Sequence, residues 1–295
     1  MIMAAHLAPV LEQISAFIVD MAMAFQNLSP ATQEFMAWAA GLTVVLGPLI
    51  IGLGMVVGAG GTGVLRVRQG ATLTLGGNLV LGALAGAGGS GQFDAGAAFS
   101  VGGGLQVGVA GQGSLDLHAV QAAGGGGASY RVQGDAMLGR HAGAAGTLTL
   151  QGPNAITAVL EIGGAMTVGN DGSGVFLHNG GGVGIGTDLT LGAGGFGNGR
   201  YEIDGSAHLR VDRHLVLGTT GQASFVQHAG EVTVAGEVAL ARHGQPASYQ
   251  LLGGTLRAEI VLAAEEAEQK AKEKAEREEE RQARARRKYA KKRQR

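Results

Sequence analysis

The chain has 295 residues, of which 55 are glycine, five are proline and none is cysteine, and its formal net charge is −1. Glycine this frequent without a strict three-residue period excludes collagen, and an apolar content of 45% argues against a disordered low-complexity chain. The absence of cysteine excludes disulfide bridges and thiolate metal sites. The glycines are therefore expected to be turn residues of a repetitive fold.

The first segment, residues 1–61, has the hydrophobic pattern of helices. Apolar side chains recur at the three- and four-residue spacing of one helix face, at Leu11, Ile14, Phe17, Ile18, Met21 and Phe25. Ser29 then precedes Pro30, which is the N-cap and first-position signal of a second helix. The pattern predicts an apolar helical hairpin.

The second of these helices contains a stretch without charged residues, from Phe35 to Gly60. At roughly 1.5 Å per residue, a helix of this length can cross a hydrocarbon layer of about 30 Å. Gly47 and Pro48 would loosen such a helix, which favours the alternative of a buried hairpin or a helix that packs in a homo-oligomer. Membrane insertion through Phe35 to Gly60 is the first interpretation, and self-association is the second.

The same segment carries a family resemblance. The phrase F-x-x-L-S-P-x-x-Q-x-F occurs at Phe25, Leu28, Ser29, Pro30, Gln33 and Phe35, and Gly47, Pro48 and Leu49 follow. In these features the segment resembles the hydrophobic part of phage tail tape measure proteins. The resemblance implies a segment that packs with other virion tail proteins in a tail tube, or inserts into a host membrane during DNA entry.

Between residues 62 and 260 the sequence repeats. Seven phrases align: LVLG at 79–82, LQVG at 105–108, AMLG at 136–139, MTVG at 166–169, LTLG at 189–192, LVLG at 215–218 and VALA at 238–241. Their last residues are 26, 31, 30, 23, 26 and 23 positions apart, which gives a period of about 25 residues. Such a period is typical of solenoids.

Within each unit, three short stretches alternate apolar and polar residues and are separated by glycine-containing corners. A period of two indicates half-buried strands, so three strands per unit are expected to form one triangular coil. Val232, Val234, Val238 and Leu240 are expected to point inward. Glycine is expected at corners, because positive φ or close backbone contact disfavours a Cβ by about 1–2 kcal/mol.

The rhythm of these units is similar to the G-x-L-x-V-G-x-x-L-x-L-G repeats of bacterial autotransporter passengers and related surface proteins. The resemblance implies a β-solenoid. The predicted fold class is therefore mainly β: a parallel β-solenoid (β-helix) of about 25-residue coils over residues 62–260. An N-terminal apolar helical hairpin and a C-terminal charged helix are expected to flank it.

Strong helix formers without glycine or proline fill residues 261–295. Acidic residues dominate the first half and basic residues the end, which complements the helix dipole, and ion pairs such as Glu266–Lys270 add a few tenths of a kcal/mol each. The apolar stripe consists only of alanine, at Ala263, Ala267, Ala271 and Ala275. A solvated single helix is favoured over a coiled coil.

The end of this helix is strongly basic. Nine basic residues and no acidic one lie there: Arg281, Arg284, Arg286, Arg287, Lys288, Lys291, Lys292, Arg293 and Arg295. They could neutralise nucleic-acid phosphates or dock on anionic lipid. The alternative is a solvated tail that aids solubility, because Tyr289 is the only aromatic residue available there for stacking on bases.

The sequence predicts no cofactor and no metal site. His208 and His214 are expected on different strands facing outward, and no histidine pair of the repeats has a third ligand at metal-site spacing. The stretch from Gly194 to Tyr201 resembles the glycine-rich calcium nonapeptide, but Gly199 stands at the aspartate position. No G-x-x-x-x-G-K-[ST] motif is present to bind nucleotide phosphates.

No catalytic residue is predicted either. Parallel β-helices include polysaccharide-cleaving enzymes, which need clustered acids on one face of adjacent coils. Glu202 and Asp204 lie two positions apart on one predicted strand and so share a face, with Asp212 further along. A solvated carboxylate pair is the favoured interpretation, and the protein is expected not to be an enzyme.

Together these segments favour a structural, non-enzymatic, tape-measure-like phage-tail protein with a β-solenoid spacer, located in a virion tail or at a membrane. The first alternative is a membrane-anchored adhesin of the bacterial cell surface whose solenoid binds glycan or protein. The second is an artificial or recombined chain without selected function, since the composition changes abruptly near residues 61 and 260. A glycan-cleaving β-helix is the weakest of the alternatives.

Overall fold

The computed structural model describes residues 43–46, 49–51, 54–118, 128–152, 158–241 and 245–262, with side chains from residue 54 to residue 261 within these ranges. No helix occurs in this part of the chain. The first predicted helix and the predicted charged helix after residue 262 lie outside the described residues. The described residues instead form strands.

Twenty-five strands occur in the described residues. The first twelve are β1 (Thr43–Leu46), β2 (Leu49–Ile51), β3 (Met55–Val57), β4 (Thr62–Val67), β5 (Thr72–Leu75), β6 (Leu79–Leu81), β7 (Gly88–Phe93), β8 (Ala98–Val101), β9 (Leu105–Val107), β10 (Gln112–His118), β11 (Ala128–Val132) and β12 (Ala136–Leu138). The others are β13 (Ala145–Gln151), β14 (Ala158–Ile162), β15 (Met166–Val168), β16 (Ser173–Asn179), β17 (Gly182–Ile185), β18 (Leu189–Leu191), β19 (Asn198–Ile203), β20 (His208–Val211), β21 (Leu215–Leu217), β22 (Gln222–Gln227), β23 (Glu231–Leu240), β24 (Ala247–Leu251) and β25 (Thr255–Leu262).

Successive groups of three strands form the coils of a parallel β-solenoid. As far as β20, each strand pairs in parallel with the strand three places on in the chain, so three ladders run along the solenoid, called here the first, second and third faces. The first face is a nine-stranded sheet that begins with β1, and the second and third faces, which begin with β2 and β3, are joined through the long strand β23. Coil 1 is β1–β3, coil 2 is β4–β6, and so on to coil 8, which is β22–β23, and coil 9, which is β24–β25. Coils 2 to 8 are about seven complete turns, and the predicted β-solenoid is confirmed.

The predicted membrane-crossing helix is wrong where the structure describes it. β1, β2 and β3 lie inside the stretch from Phe35 to Gly60, and they pair with β4, β5 and β6 as coil 1. The solenoid therefore begins at Thr43 rather than at residue 62. A short apolar run cannot be assigned to helix or strand by hydrophobicity alone, and here β-branched residues such as Val44, Val45 and Ile50 favour strands between glycine-containing corners.

One continuous apolar core fills the inside of the coils. Side chains at the inward positions stack on the equivalent positions of the next coil, as Leu148, Phe176, Tyr201 and Phe225 do on the first face. Val232, Val234 and Val238 are fully buried as predicted, and Leu240 packs against the core. The buried polar side chains of the described residues are Thr149, His178 and Gln227, and every buried side-chain nitrogen and oxygen there has a hydrogen-bond partner.

The last glycine of the repeated phrase has the same role in each coil. It begins the third corner, which joins the third face to the first face of the next coil, and it has positive φ, for example 66° at Gly139 and 65° at Gly192. A Cβ on Gly139 would lie 2.2 Å from the carbonyl oxygen of Ser173, at the start of coil 6. Both the φ value and this close approach require glycine, which explains the period seen in the sequence. Ala241, in the VALA phrase, has the same conformation with φ of 54°.

The third corners alternate in length. They contain four residues after coils 1, 3, 5 and 7, and six residues after coils 2, 4, 6 and 8. A six-residue corner closes its own turn, as when the amide of Ala144 donates to the carbonyl of His141 at 3.0 Å. A four-residue corner bonds to the corner before it, as when the amide of Gly172 donates to the carbonyl of Gly139 at 3.0 Å. The structural repeat is thus a pair of coils.

Side-chain acceptors also connect coils at the second corner, between the second and third faces. Asn78, Asp135 and Asp188, in coils 2, 4 and 6, each use a side-chain oxygen to accept the backbone amide of the next coil, at 2.7, 2.8 and 3.1 Å. In two of these cases the next coil has glycine where the acceptor needs space: a Cβ on Gly103 would lie 2.2 Å from Oδ1 of Asn78, and a Cβ on Gly164 would lie 2.1 Å from Oδ1 of Asp135.

Candidate functional site on the charged second face

The outward side chains differ between the three faces. The central outward column of the first face is mostly uncharged: Val64, Ser90, Ser114, Thr147, Val175, Arg200, Ser224 and Ser248. The third face has Val80, Gln106, Met137, Thr167, Thr190 and Val216. The second face has Thr74, Ser100, Arg131, Glu161, Gly184, Arg210, Thr233 and Arg257. From coil 4 onward, the second face carries a concentration of charge that the other two columns lack.

Ion pairs connect neighbouring coils on the second face. Glu231 lies between two partners, Nδ1 of His208 at 3.5 Å and Nε of Arg257 at 3.4 Å. At the second corner, Arg213 lies 3.6 Å from Asp188 of the preceding coil. These groups are partly exposed, so each pair stabilises the fold by no more than about 1 kcal/mol. Their main effect is a surface of alternating charge.

One ion pair spans two coils. Arg210 in coil 7 contacts Glu161 in coil 5 at 3.7 Å and Asp212 at 2.8 Å. Coil 6 contributes Gly184 at the position between them, where a Cβ would lie 2.4 Å from Oε2 of Glu161. The missing side chain gives the carboxylate of Glu161 room to reach across coil 6. Gly184 is therefore a packing requirement of this bridge.

A shallow groove of about 490 Å³ runs beside the bridge, with Arg131, Gln133, Glu161, Arg210 and Asp212 among its lining residues. Five of its nine lining residues have charged or polar side chains. Arg131 is exposed and has no ion-pair partner among the described residues. The groove is suited to contact with a polar partner surface.

The acidic residues considered for catalysis do not come together. Glu202 lies on the first face and pairs with Arg200, and Asp204 at the next corner accepts the amide of Gly205 at 2.7 Å. Asp212 lies at the second corner, paired with Arg210. The carboxylates of Glu202 and Asp212 thus each have an arginine partner, and they belong to different parts of the coil.

The histidines have separate roles. His208 faces outward on β20 as predicted, whereas His214 lies at the second corner, where its Nδ1 accepts the amide of Glu237 at 3.1 Å. The stretch from Gly194 to Tyr201 forms part of a third corner and β19. The described residues contain no group of three potential metal ligands.

Sequence reasoning missed a buried polar pair. His178 is fully buried on the inward side of β16, where Nδ1 contacts the hydroxyl of Tyr201 at 3.0 Å and Nε2 contacts the carbonyl of Gly181 at 3.1 Å. Burial, with a smaller contribution from the charge of His208, lowers the pKa of His178 from its usual 6.5 to about 4, against the effect of the hydrogen bond to Gly181. The available signal was a polar residue at an inward strand position, in register with Leu150.

The predicted contact residues of the basic tail, from Arg281 to Arg295, lie outside the described residues. In the described part of the chain, no helix has the length and apolar character needed to cross a membrane.

Comparison of the sequence with models of known protein families, with curated proteins and with solved structures gave no match.

Proposed function

We propose that this protein is a structural, non-enzymatic spacer. Its β-solenoid keeps Thr43, in the first coil, and Leu262, in the last coil, a fixed distance apart. The observation that carries the proposal is the unbroken pairing along the first face, where nine strands follow one another from β1 to β24. At about 4.8 Å per coil, eight such steps extend the rod by about 38 Å.

The packing supports a stiff rod. Each of coils 2 to 8 contacts its neighbours through three parallel ladders and one continuous apolar core, so bending would open backbone hydrogen bonds and core contacts together. The side-chain acceptors of the second corner add a further bond between pairs of coils. A chain that needed only to connect two segments would not require this order.

The surface supports a non-enzymatic role. Acid–base chemistry on a β-helix needs carboxylates that face a common substrate site. In the groove of the second face, both Glu161 and Asp212 are paired with the same arginine, Arg210. The groove is therefore better suited to bind a polar partner than to transform one.

Two cellular settings fit a spacer of this kind. The N-terminal resemblance to tape measure proteins favours a phage tail, and the polar groove of the second face suits the alternative of a cell-surface adhesin. Membrane fractionation followed by protease protection separates the settings, since an adhesin exposes its solenoid to protease outside the cell, whereas a tail component sediments with tail particles.

Spin-label distances test the spacer itself. The chain has no cysteine, so labels can be introduced at chosen sites. Thr62, Ser173 and Gln222 are exposed and belong to one column of the first face, so the Thr62→Cys/Ser173→Cys pair spans four coils and Thr62→Cys/Gln222→Cys spans six. We expect narrow distributions near about 19 and 29 Å. Broad distributions, or distances that fail to increase by two coil spacings, would refute a rigid spacer.

A further inference from the structure

Arg131, in coil 4, lacks the ion pair that its position would allow. It is in register with Glu161 of the neighbouring strand, at the usual strand spacing of about 4.8 Å. The carboxylate of Glu161 instead reaches across coil 6 to Arg210, at 3.7 Å. Arg131 is therefore an exposed cation at one end of the groove, without an ionic partner in the part of the chain that the structure describes.

The middle of the groove is formed by backbone. Gly163 and Gly186, in coils 5 and 6, are among its lining residues. A Cβ on Gly163 would lie 2.5 Å from the carbonyl oxygen of Gln133, and a Cβ on Gly186 would lie 2.4 Å from the carbonyl oxygen of Gly163. The close stacking of the coils thus requires glycine there and leaves an open trough. From Arg131 in coil 4 to Arg210 in coil 7, this trough covers three coil spacings, about 14 Å.

The two ends of the groove differ in charge. Arg210 contacts two carboxylates, of Asp212 at 2.8 Å and of Glu161 at 3.7 Å, whereas Arg131 contacts none among the described residues. Gln133, beside Arg131, is exposed and has an amide that can both donate and accept hydrogen bonds. A matching ligand has one anionic group for Arg131 and, along the rest of its length, groups that both donate and accept.

We propose that this groove binds an acidic glycan chain, with a sugar carboxylate on Arg131 and sugar hydroxyls on Gln133, Glu161 and Asp212. This inference does not depend on the spacer function. A guanidinium can bind a carboxylate through two parallel hydrogen bonds. Hydroxyl groups can donate to the carboxylates of the groove and can accept from its amide.

Two other kinds of polymer fit the groove less well. A peptide that binds a sheet through its backbone adds a strand to an open edge, but β11, β14, β17 and β20 of the second face each have a paired strand on both sides. A single-stranded nucleic acid uses aromatic side chains on which its bases stack, and none of the nine residues that line the groove is aromatic. A hydroxyl-rich chain requires neither feature.

Calorimetric titration of the full-length protein with polygalacturonate tests the site. The matched ligand is polygalacturonate whose carboxylates have been converted to methyl esters, which keeps the hydroxyls and removes the charge. We expect the ester to bind about tenfold more weakly, because it cannot form the charge-assisted hydrogen bonds with Arg131.

Arg131→Gln and Arg68→Gln are the matched variants. Both residues are exposed arginines, and Arg68 lies between β4 and β5 in coil 2, away from the groove. Arg131→Gln should weaken the binding of polygalacturonate about tenfold and leave the binding of the ester within twofold of the parent. Arg68→Gln should leave both within twofold. Neither side chain is part of the apolar core, so both variants should retain the fold.

Three outcomes would overturn the proposal. Undetectable binding of polygalacturonate would show that the groove is not a glycan site. Equal weakening by the two variants would mean that general charge attraction holds the polymer. Polyglutamate that binds as tightly, with the same dependence on Arg131, would identify an acidic peptide as the partner. Binding that needs both the sugar carboxylate and Arg131, and that polyglutamate does not reproduce, would support the glycan site.

Discussion

The hydroxyl of Tyr201 donates a hydrogen bond to Nδ1 of His178, in the preceding coil, inside an otherwise apolar core. Because the carbonyl of Gly181 can only accept, Nε2 of His178 carries the proton, and the neutral ring is satisfied at both nitrogens. Two coils further on, Oε1 of Gln227 accepts from the hydroxyl of Tyr249 at 2.6 Å, and its Nε2 donates to the carbonyl of Gly230 at 3.1 Å. Histidine and glutamine thus have equivalent roles in alternate coils.

The buried His178–Tyr201 pair predicts a pH-dependent contribution to stability that the substitution His178→Gln should remove. The pKa of His178 is about 4 in the folded protein and 6.5 when unfolded, so between these values the unfolded chain binds a proton that the folded chain does not. The contribution of the neutral ring is complete above pH 6.5 and is lost as the pH falls towards 4. Wild type should lose about 3 kcal/mol more than His178→Gln over this window.

Urea unfolding of both proteins at several pH values between 4 and 8 measures this difference. Subtracting the two curves removes the other titrating groups, which both proteins share. Parallel curves would show that His178 is not a neutral buried residue.

The glycine that begins each third corner should tolerate no Cβ. Gly192 has φ of 65°, and a Cβ there would lie 2.2 Å from the carbonyl oxygen of Gln222. Gly192→Ala should lower the free energy of unfolding by about 2 kcal/mol or more, from the disfavoured φ and the displaced backbone. Gly195→Ala is the matched control in the same corner, since a Cβ there has no neighbour within 4 Å. Similar unfolding midpoints for the two variants would contradict the assigned role.

Substitution of Ala241, which occupies the equivalent position after coil 8, should have the opposite effect on stability. It has φ of 54° where the other coils have glycine, and it is the non-glycine residue with positive φ in the described part of the chain. Ala241→Gly should raise the free energy of unfolding by about 0.5–1 kcal/mol, because the relief of strain exceeds the added entropy of the unfolded chain. A calorimetric midpoint that stays the same or falls would show that Ala241 is unstrained.

The two-coil repeat makes a prediction about deletions. Removing residues 173–221 deletes coils 6 and 7 together, joins coil 5 to coil 8 and preserves the alternation of corners. Removing only residues 198–221 deletes coil 7 and leaves six-residue third corners in two successive coils. It also stacks His178 directly against Gln227 and removes Tyr201, whose hydroxyl is the hydrogen-bond partner of His178. The larger deletion should therefore melt at the higher temperature, which circular dichroism can measure. A higher midpoint for the single-coil deletion would mean that coils are independent units.

The period of the solenoid was predictable because it is local. The four residues from Leu189 to Gly192 contain both the apolar–polar alternation of a strand and the glycine of a corner, and equivalent residues recur in successive coils. The two-coil alternation is hidden in the sequence because the lengths of the other corners vary: Gln112 pairs with Ala145, 33 residues on, whereas Gly88 pairs with Gln112, 24 residues on. Unequal coil lengths prevent a simple alignment of the repeats.

The site was less predictable than the fold. The bridge between Glu161 and Arg210 joins residues 49 positions apart and depends on Gly184 in the coil between them. A helix assignment for the apolar stretch before residue 60 failed for a related reason. The hydrophobicity of this stretch indicated that it is buried, but not whether it is helix or strand. The pairing of β1, β2 and β3 with the strands of coil 2 shows that it forms a coil of the solenoid.

The architecture follows from the amino-acid sequence alone: strands of period two, glycine at corners that need positive φ, and coils of about 25 residues. These features depend on backbone conformation and side-chain alternation, which neighbouring residues decide. The tertiary structure decided which coils alternate, where the solenoid begins, and which charged and buried polar side chains meet. Those features depend on the register between coils, and register is fixed only when every corner has adopted its length and the whole core has packed.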